Sequence, residues 1–268
     1  MLLNLYLSFF GFGFSNYSIS TGDISIGGTG FFYAGNEVAG ALLALYAIIV
    51  FKVRHNAIVA ICYTFAFFIA SLALMSKAPI LGIAILFVIY LFVYKPIGYL
   101  KLTAITTVAL FVLFDFILET ISPAVDRWAY LIGEYGALTY LTGGSKRWEM
   151  ASSIFTRISE YPLLIITGSG WTGFAEQNFV DLLEGFGLVG IIVFSIWIFW
   201  GVNIFKRLHN KADEYYVLSA FFLLIAVAVL AGHIIQSAMI APFIAILANI
   251  NFVSKHEKSF IYYKRLPI

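Results

Sequence analysis

Lys146, Arg147 and Arg157 place three cations in one polar stretch, and Glu176, Asp181 and Glu184 follow with three carboxylates. Arg147 and Arg157 are ten residues apart, nearly three turns of a 3.6-residue helix, so one helix could present both on similar faces. Guanidinium groups hold phosphate oxygens bidentately, and two of them beside Lys146 would suit a diphosphate. A solvated amphipathic helix whose basic face meets lipid headgroups accounts for the same pattern. The residues alone leave both readings open.

The acidic cluster reads Glu176-Gln177-Asn178, then Asp181 and Glu184. Asn178, Asp181 and Glu184 recur every third residue, so neighbours share a helix face. Acids at a helix N-terminus gain roughly 0.3–1 kcal/mol from the dipole, which accounts for Asp181. Glu184 lies deeper in an apolar run, where a charge costs up to about 2.5–3.5 kcal/mol. A carboxylate kept there is a candidate general base or cation partner. Asn36 and Glu37 interrupt the apolar stretch starting at Phe31. They mark either a polar cavity or a helix that starts later. Lys77, in Ser76-Lys77-Ala78-Pro79, either snorkels to the interface or joins the cations. His233 is either a buried hydrogen-bonded group or a proton shuttle. Gly168-Ser169-Gly170-Trp171-Thr172-Gly173 spells a dinucleotide fingerprint but lacks the strand and βαβ unit that the motif requires. It reads instead as a turn whose glycines let backbone approach another group closely.

The elements that must position these residues are hydrocarbon-like. Hydrophobic residues make up 62% of the chain and charged ones 11%. A membrane span needs roughly 20 apolar residues. Windows of that kind cover Phe31–Phe51, Ala57–Ser76, Ala78–Tyr94, Leu102–Leu118, Leu183–Phe205, Val217–Gln236 and Ala238–Val253. Backbone groups in lipid must pair within a segment, so the windows predict helices, and no period-two alternation points to a barrel. Met1–Phe14 reads as the tail of a helix or a short tilted span. The expected fold is an all-α integral membrane protein, one polytopic bundle over 1–268 with about seven to eight spans. Lys52 and Arg54, Lys95 and Lys101, Lys206, Arg207 and Lys211, and Lys255, Lys258, Lys264 and Arg265 fall on one face. The positive-inside rule makes that face cytoplasmic, with the C-terminus. The large loop, about 119–182, then faces outward with Arg127, Lys146, Arg147 and Arg157, and Lys77 shares that side. Cys62, the sole cysteine, sits within a span, and His55, His209 and His256 are cytoplasmic. No metal site is expected, and no nucleic-acid motif is present.

In order, these patches resemble the O-antigen ligase and polysaccharide polymerase superfamily. Gly30–Gly40 (GFFYAGNEVAG) is similar to the family's Gly-aromatic-Asn stretch opening a membrane helix, and Ser76–Gly82 (SKAPILG) to its Ser-Arg/Lys helix start. Arg147-Trp148 with Tyr161-Pro162 and Gly168–Gly170 resembles the lead-in through the large loop. Glu176–Gly190 (EQNFVDLLEGFGLVG) resembles the closing motif. The resemblance implies transfer of a glycan from a polyprenyl-diphosphate carrier to another lipid-linked repeat unit, outside the inner membrane of a bacterium. It needs no cofactor and no metal. Membrane lipid and the export and chain-length proteins of polysaccharide assembly are the implied partners. Lys77 and Arg147 carry the diphosphate role by motif position, joined by Lys146 and Arg157, with Asn36, Glu37, Asn178 and His233 lining the substrate. Gln177 stands where the ligases have histidine, so Glu176 or Asp181 is the expected base, which favours a polymerase. The chain is shorter than its relatives, implying an N-terminally shortened polymerase. The other readings are a ligase, a lipid-linked-sugar transporter or flippase, and an inactive truncated polymerase.

Overall fold

A computed structural model of the protein describes residues 1–18, 25–32, 35–74, 76–94, 145–170, 178–205, 210–231 and 239–247, with isolated positions between 122 and 137. It is mostly helical. Following the chain, α1 is Leu2–Ser8, β1 Phe14–Ser18, β2 Ser25–Gly30, α2 Gly35–Val53, α3 Ala57–Leu74 and α4 Lys77–Tyr94. Then come α5 Ser145–Glu160, α6 Leu164–Thr167, α7 Asn178–Phe205 and α8 Lys211–Ala231, and residues 241–247 are again helical.

Among the described residues, four helices are long and apolar enough to cross a membrane: Gly35–Val53, Ala57–Leu74, Lys77–Tyr94 and Phe179–Ile204. This is a membrane-embedded protein. The expected span at Leu102–Leu118 lies outside the described residues; of the one expected over Ala238–Val253 only 239–247 is described, helical from 241. The window expected over Val217–Gln236 overlaps α8 as far as Ala231, a helix that is not one of those four, and 232–236 lie outside the described residues.

Between helices in lipid there is little hydrophobic drive, so association rests on close packing and polar links. α2 supplies the packing. Its buried residues include Ala39, Gly40, Ala41, Ala44 and Ala47, small enough for α3, α4 and α8 to approach. Leu42, Leu43, Tyr46 and Val50 meet Phe67 and Leu74 of α3, Ile83, Leu86 and Tyr90 of α4, and Val217, Ala220 and Leu224 of α8 in one core. The Tyr46 and Thr64 hydroxyls pair at 3.0 Å, joining α2 to α3. Asn56 closes the turn before α3, its side-chain oxygen accepting the Val59 N–H at 3.2 Å. Pro79 falls in the first turn of α4, where a missing N–H does no harm.

Two sequence expectations change. Asn36 and Glu37 do not interrupt a span begun at Phe31, because α2 starts at Gly35 and puts both in its first turn. There the dipole favours the Glu37 carboxylate. The N-terminal stretch is no tilted span either. Seven residues of α1 rise only about 10 Å, and Gly11 and Gly13 have positive φ, turning the chain into β1. β1 and β2 pair antiparallel, Tyr17 opposite Ile26, a two-stranded ribbon in an otherwise helical fold. Asn4 ties α1 to the end of β2, donating to the Thr29 carbonyl at 3.3 Å and accepting from the Phe31 N–H at 3.0 Å.

The bundle has two ends. The C-termini of α2 and α4 meet the N-terminus of α8 through Arg54, Tyr94 and Asp213. The N-termini of α2 and α4 therefore lie at the opposite end. α7 packs on α8 through Trp197 and Phe221, ring centroids 5.5 Å apart. A short connection joins the C-terminus of α7 to the N-terminus of α8, so α7 also begins at that opposite end.

Candidate functional site: a broken helix with a buried carboxylate

α7 is not continuous. Gly187 has φ 62° and ψ −154°, a conformation open in practice only to glycine. Past such a residue the helical hydrogen bonds cannot close, and carbonyls before it need other donors. The Glu184 carbonyl finds them in Ser169, whose N–H donates at 2.7 Å and whose hydroxyl donates at 3.2 Å. The segment carrying Ser169 is wedged into the break. A Cβ on Gly168 would lie 2.4 Å from the Gly185 oxygen, and one on Gly187 would lie 2.4 Å from the Ile166 oxygen. A glycine on each wall lets the two backbones touch. The close approach that the Gly168–Gly170 run makes possible is thus to the protein's own helix. Irregular backbone at membrane depth persists only when so partnered, and such breaks are where membrane proteins place polar sites.

The depth of the break follows from helix length. Lys206 and Arg207 succeed Phe205 in the sequence, marking one membrane boundary. About 20 residues, or 30 Å, back from there reaches Glu184. A span of about 30 Å counted back from Phe205 thus ends at the level of the break.

α5 covers the first turns of α7. Ala151, Ile154 and Ile158 of α5 pack on Val180, and that seam sets Arg157 above Glu184. The guanidinium Nη1 lies 3.7 Å from Glu184 Oε1, with the arginine side chain 46% exposed and the glutamate 6%. Glu184 Oε2 is buried without a hydrogen-bond partner among the described residues. Asp181, one turn earlier, is buried too. A buried charge missing part of its hydrogen bonding is destabilising by about 1–3 kcal/mol or more. One oxygen of this carboxylate faces a cation, and the other, buried, lacks a hydrogen bond among the described residues. Chemically it can accept a proton from a hydroxyl, or a cation.

Beside this site runs an apolar groove of about 710 Å³. Leu182 and Phe186, which flank Glu184 in sequence, line its near end, and Val193, Trp197 and Phe221 continue it along α7 and α8.

The structure brings Arg157, Asp181 and Glu184 together. Lys77 opens α4 and is half-buried, and Asn36 and Glu37 are half-buried in the first turn of α2. All three share this end of the bundle. Lys146 and Arg147 lie in the first turn of α5, on the same helix as Arg157, and Asn178 opens α7. The side chains of Lys146, Arg147 and Asn178, and the whole of Glu176 and His233, lie outside the described residues. Sequence reasoning overlooked the break, although Gly185-Phe186-Gly187 inside an apolar run was its signal. Asp213, ahead of another apolar run, was likewise left without a role.

The described residues form a mostly helical, membrane-embedded bundle in which α7 is broken at Gly187. No protein-family model, no curated protein and no solved structure matches the chain at a significant level.

Proposed function

We propose that this protein joins polyprenyl-diphosphate-linked oligosaccharide repeat units into surface polysaccharide at the outer face of a bacterial cytoplasmic membrane. On this reading the bundle has about seven to eight spans, the loop at about 119–182 is outside and the C-terminus is inside. The observation that carries the reading is the half-exposed Arg157 over the buried, incompletely bonded Glu184, on a helix whose other face lines an apolar groove. A lipid diphosphate needs cations at a membrane surface, a path for its hydrocarbon tail, and a base nearby for the acceptor.

The acceptor hydroxyl oxygen attacks the anomeric carbon of the donor sugar, and the bond from that carbon to the phosphate oxygen breaks. The hydroxyl proton passes to a carboxylate, and the lipid diphosphate leaves with the bonding pair. Glu184 takes the base role, with Asp181 and Glu176 as the neighbouring acids. Arg157, Arg147, Lys146 and Lys77 stabilise charge on the departing diphosphate, an effect amplified where water is sparse. Asn36, Glu37, Asn178 and His233 contact the sugars. The helix break favours a second reading, transport of lipid-linked sugars, because discontinuous helices build transporter sites. Those sites lie near the midplane, however, whereas this break is at the boundary.

The test is the size ladder of surface polysaccharide in the host, with the gene deleted and then restored as wild type or Arg147→Ala. Collapse to single repeats, rescued by wild type and not by Arg147→Ala at equal membrane abundance, supports polymerisation with a cationic diphosphate site. Long chains held on the carrier indicate a ligase, and loss of all lipid-linked sugar from the outer leaflet indicates a transporter. Full ladder formation by Arg147→Ala removes the diphosphate role of that residue.

A further inference from the structure

We infer that Tyr161–Ile166 is an interfacial membrane anchor, lying in the boundary between lipid headgroups and acyl chains beside the broken end of α7. The chain changes character at this segment. Ser159 and Glu160, closing α5, are exposed and polar. The next six residues are Tyr161-Pro162-Leu163-Leu164-Ile165-Ile166. Of these, Tyr161 is 61% exposed, Leu163 75%, Ile165 40% and Ile166 53%. A contiguous patch of large apolar side chains facing outward marks an interaction surface.

The wedge into α7 fixes which surface. Ile166 and Gly168 touch Gly187 and Gly185, and Ser169 is hydrogen-bonded to Glu184. The patch is therefore level with residues 184–187, the residues placed at the hydrocarbon boundary by helix length and the Lys206-Arg207 flank. It also continues an exposed apolar surface. Leu188, Val189 and Ile192, the next turn of α7, face outward from a membrane-spanning helix. The occupant that covers that stripe, the acyl chains of the bilayer, reaches the patch without interruption. Tyr161 suits headgroup depth, with an apolar ring and a polar tip. Serving as an anchor, the segment sets the height of Ser169 against Glu184, and hence of Arg157, relative to the membrane. This holds whatever chemistry the site performs.

The test uses the full chain with Cys62→Ser, carrying one added cysteine at a time, in vesicles of phosphatidylethanolamine and phosphatidylglycerol. Leu163→Cys and Ile166→Cys are spin-labelled, with Ser159→Cys as the aqueous control and Ile192→Cys as the lipid-facing control. Collision rates with oxygen, which concentrates in lipid, are compared with those of a water-soluble nickel chelate. The expected result is an oxygen-to-nickel ratio at Leu163 and Ile166 several-fold above that at Ser159 and approaching that at Ile192. A Leu163 label as open to nickel as Ser159 overturns the anchor. So does a label shielded from both reagents, since protein would then cover the patch.

Discussion

The two ends of this bundle each hold an arginine against an acid, and they treat the pair differently. At one end, Arg54 Nη2 donates to Asp213 Oδ2 at 3.0 Å, and Nη1 donates to the Phe51 carbonyl at 2.8 Å. Arg54 Nε lies 2.8 Å from Asp213 Oδ1, close enough for ion pairing although its N–H is not aimed at that oxygen. The Tyr94 hydroxyl donates to Asp213 at 2.9 Å, and the guanidinium stacks 4.2 Å above the Phe51 ring. Three helix ends are fastened by one carboxylate. At the other end, Arg157 and Glu184 stand 3.7 Å apart, one carboxylate oxygen has no hydrogen-bond partner among the described residues, and the supporting helix is broken. A nearly saturated pair stabilises the fold. An unsaturated one, at a break in its helix, is the pair that the proposed chemistry would use.

If that contrast is right, the largest loss of stability comes from the first end. Asp213→Ala leaves Arg54 desolvated without its acid, and breaking such a pair costs about 3–5 kcal/mol. The expected outcome is a sharply lower melting temperature of the purified protein in detergent and low abundance in the membrane. An unchanged melting curve would show that the Arg54 end is not a fastening. Gly187→Ala ranks next. Its side chain would meet the Ile166 carbonyl and strain a left-handed φ, a penalty of about 1–3 kcal/mol. The variant should insert normally and lose the wedge, which protease cleavage within 161–170 would report as a new site.

Glu184→Gln separates the ends most cleanly. Removing a poorly satisfied buried charge changes stability by less than about 1 kcal/mol or raises it. On the proposed chemistry the same change removes the base, so polymer formation drops by about 10²–10⁴-fold. Stability loss comparable to that of Asp213→Ala, with the ladder intact, would make Glu184 another structural residue and return the base role to Asp181 or Glu176.

What the residues disclosed in advance divides along the same line. Long apolar runs made α2, α3, α4 and most of α7 legible, because a helix in lipid is specified largely by hydrophobicity and length. The hairpin over Phe14–Gly30 was not legible, since a two-stranded ribbon braced by α1 has no strong local signature. Arg157 and the acids were found as residue types. Their pairing was not, because it depends on α5 lying across α7 through Ala151, Ile154 and Val180. Asp213, ahead of an apolar run, has no sequence feature that names its partners. Only the convergence of α2, α4 and α8 gives it Arg54 and Tyr94.

The smallest effect tests whether exposure is what separates a fastening from an ornament. Lys211 donates to Glu214 at 2.8 Å one residue behind the Arg54–Asp213 pair, and its side chain is 77% exposed. Hydrogen bonding and attraction to Glu214 raise its pKa above the ordinary 10.5. A lysine with a raised folded-state pKa adds stability that is fully present below its unfolded value. That stability is lost as pH rises through the folded value. The window therefore opens near 10.5 and extends upward. The melting temperature of wild type should exceed that of Lys211→Gln slightly at about pH 9, and the gap should close at higher pH. High salt should close it as well, because exposed pairs are screened. The Arg54–Asp213 pair should ignore both treatments, since arginine keeps its proton and burial excludes counterions. A gap between wild type and Lys211→Gln as large as that between wild type and Asp213→Ala would mean that burial is not what divides the two pairs.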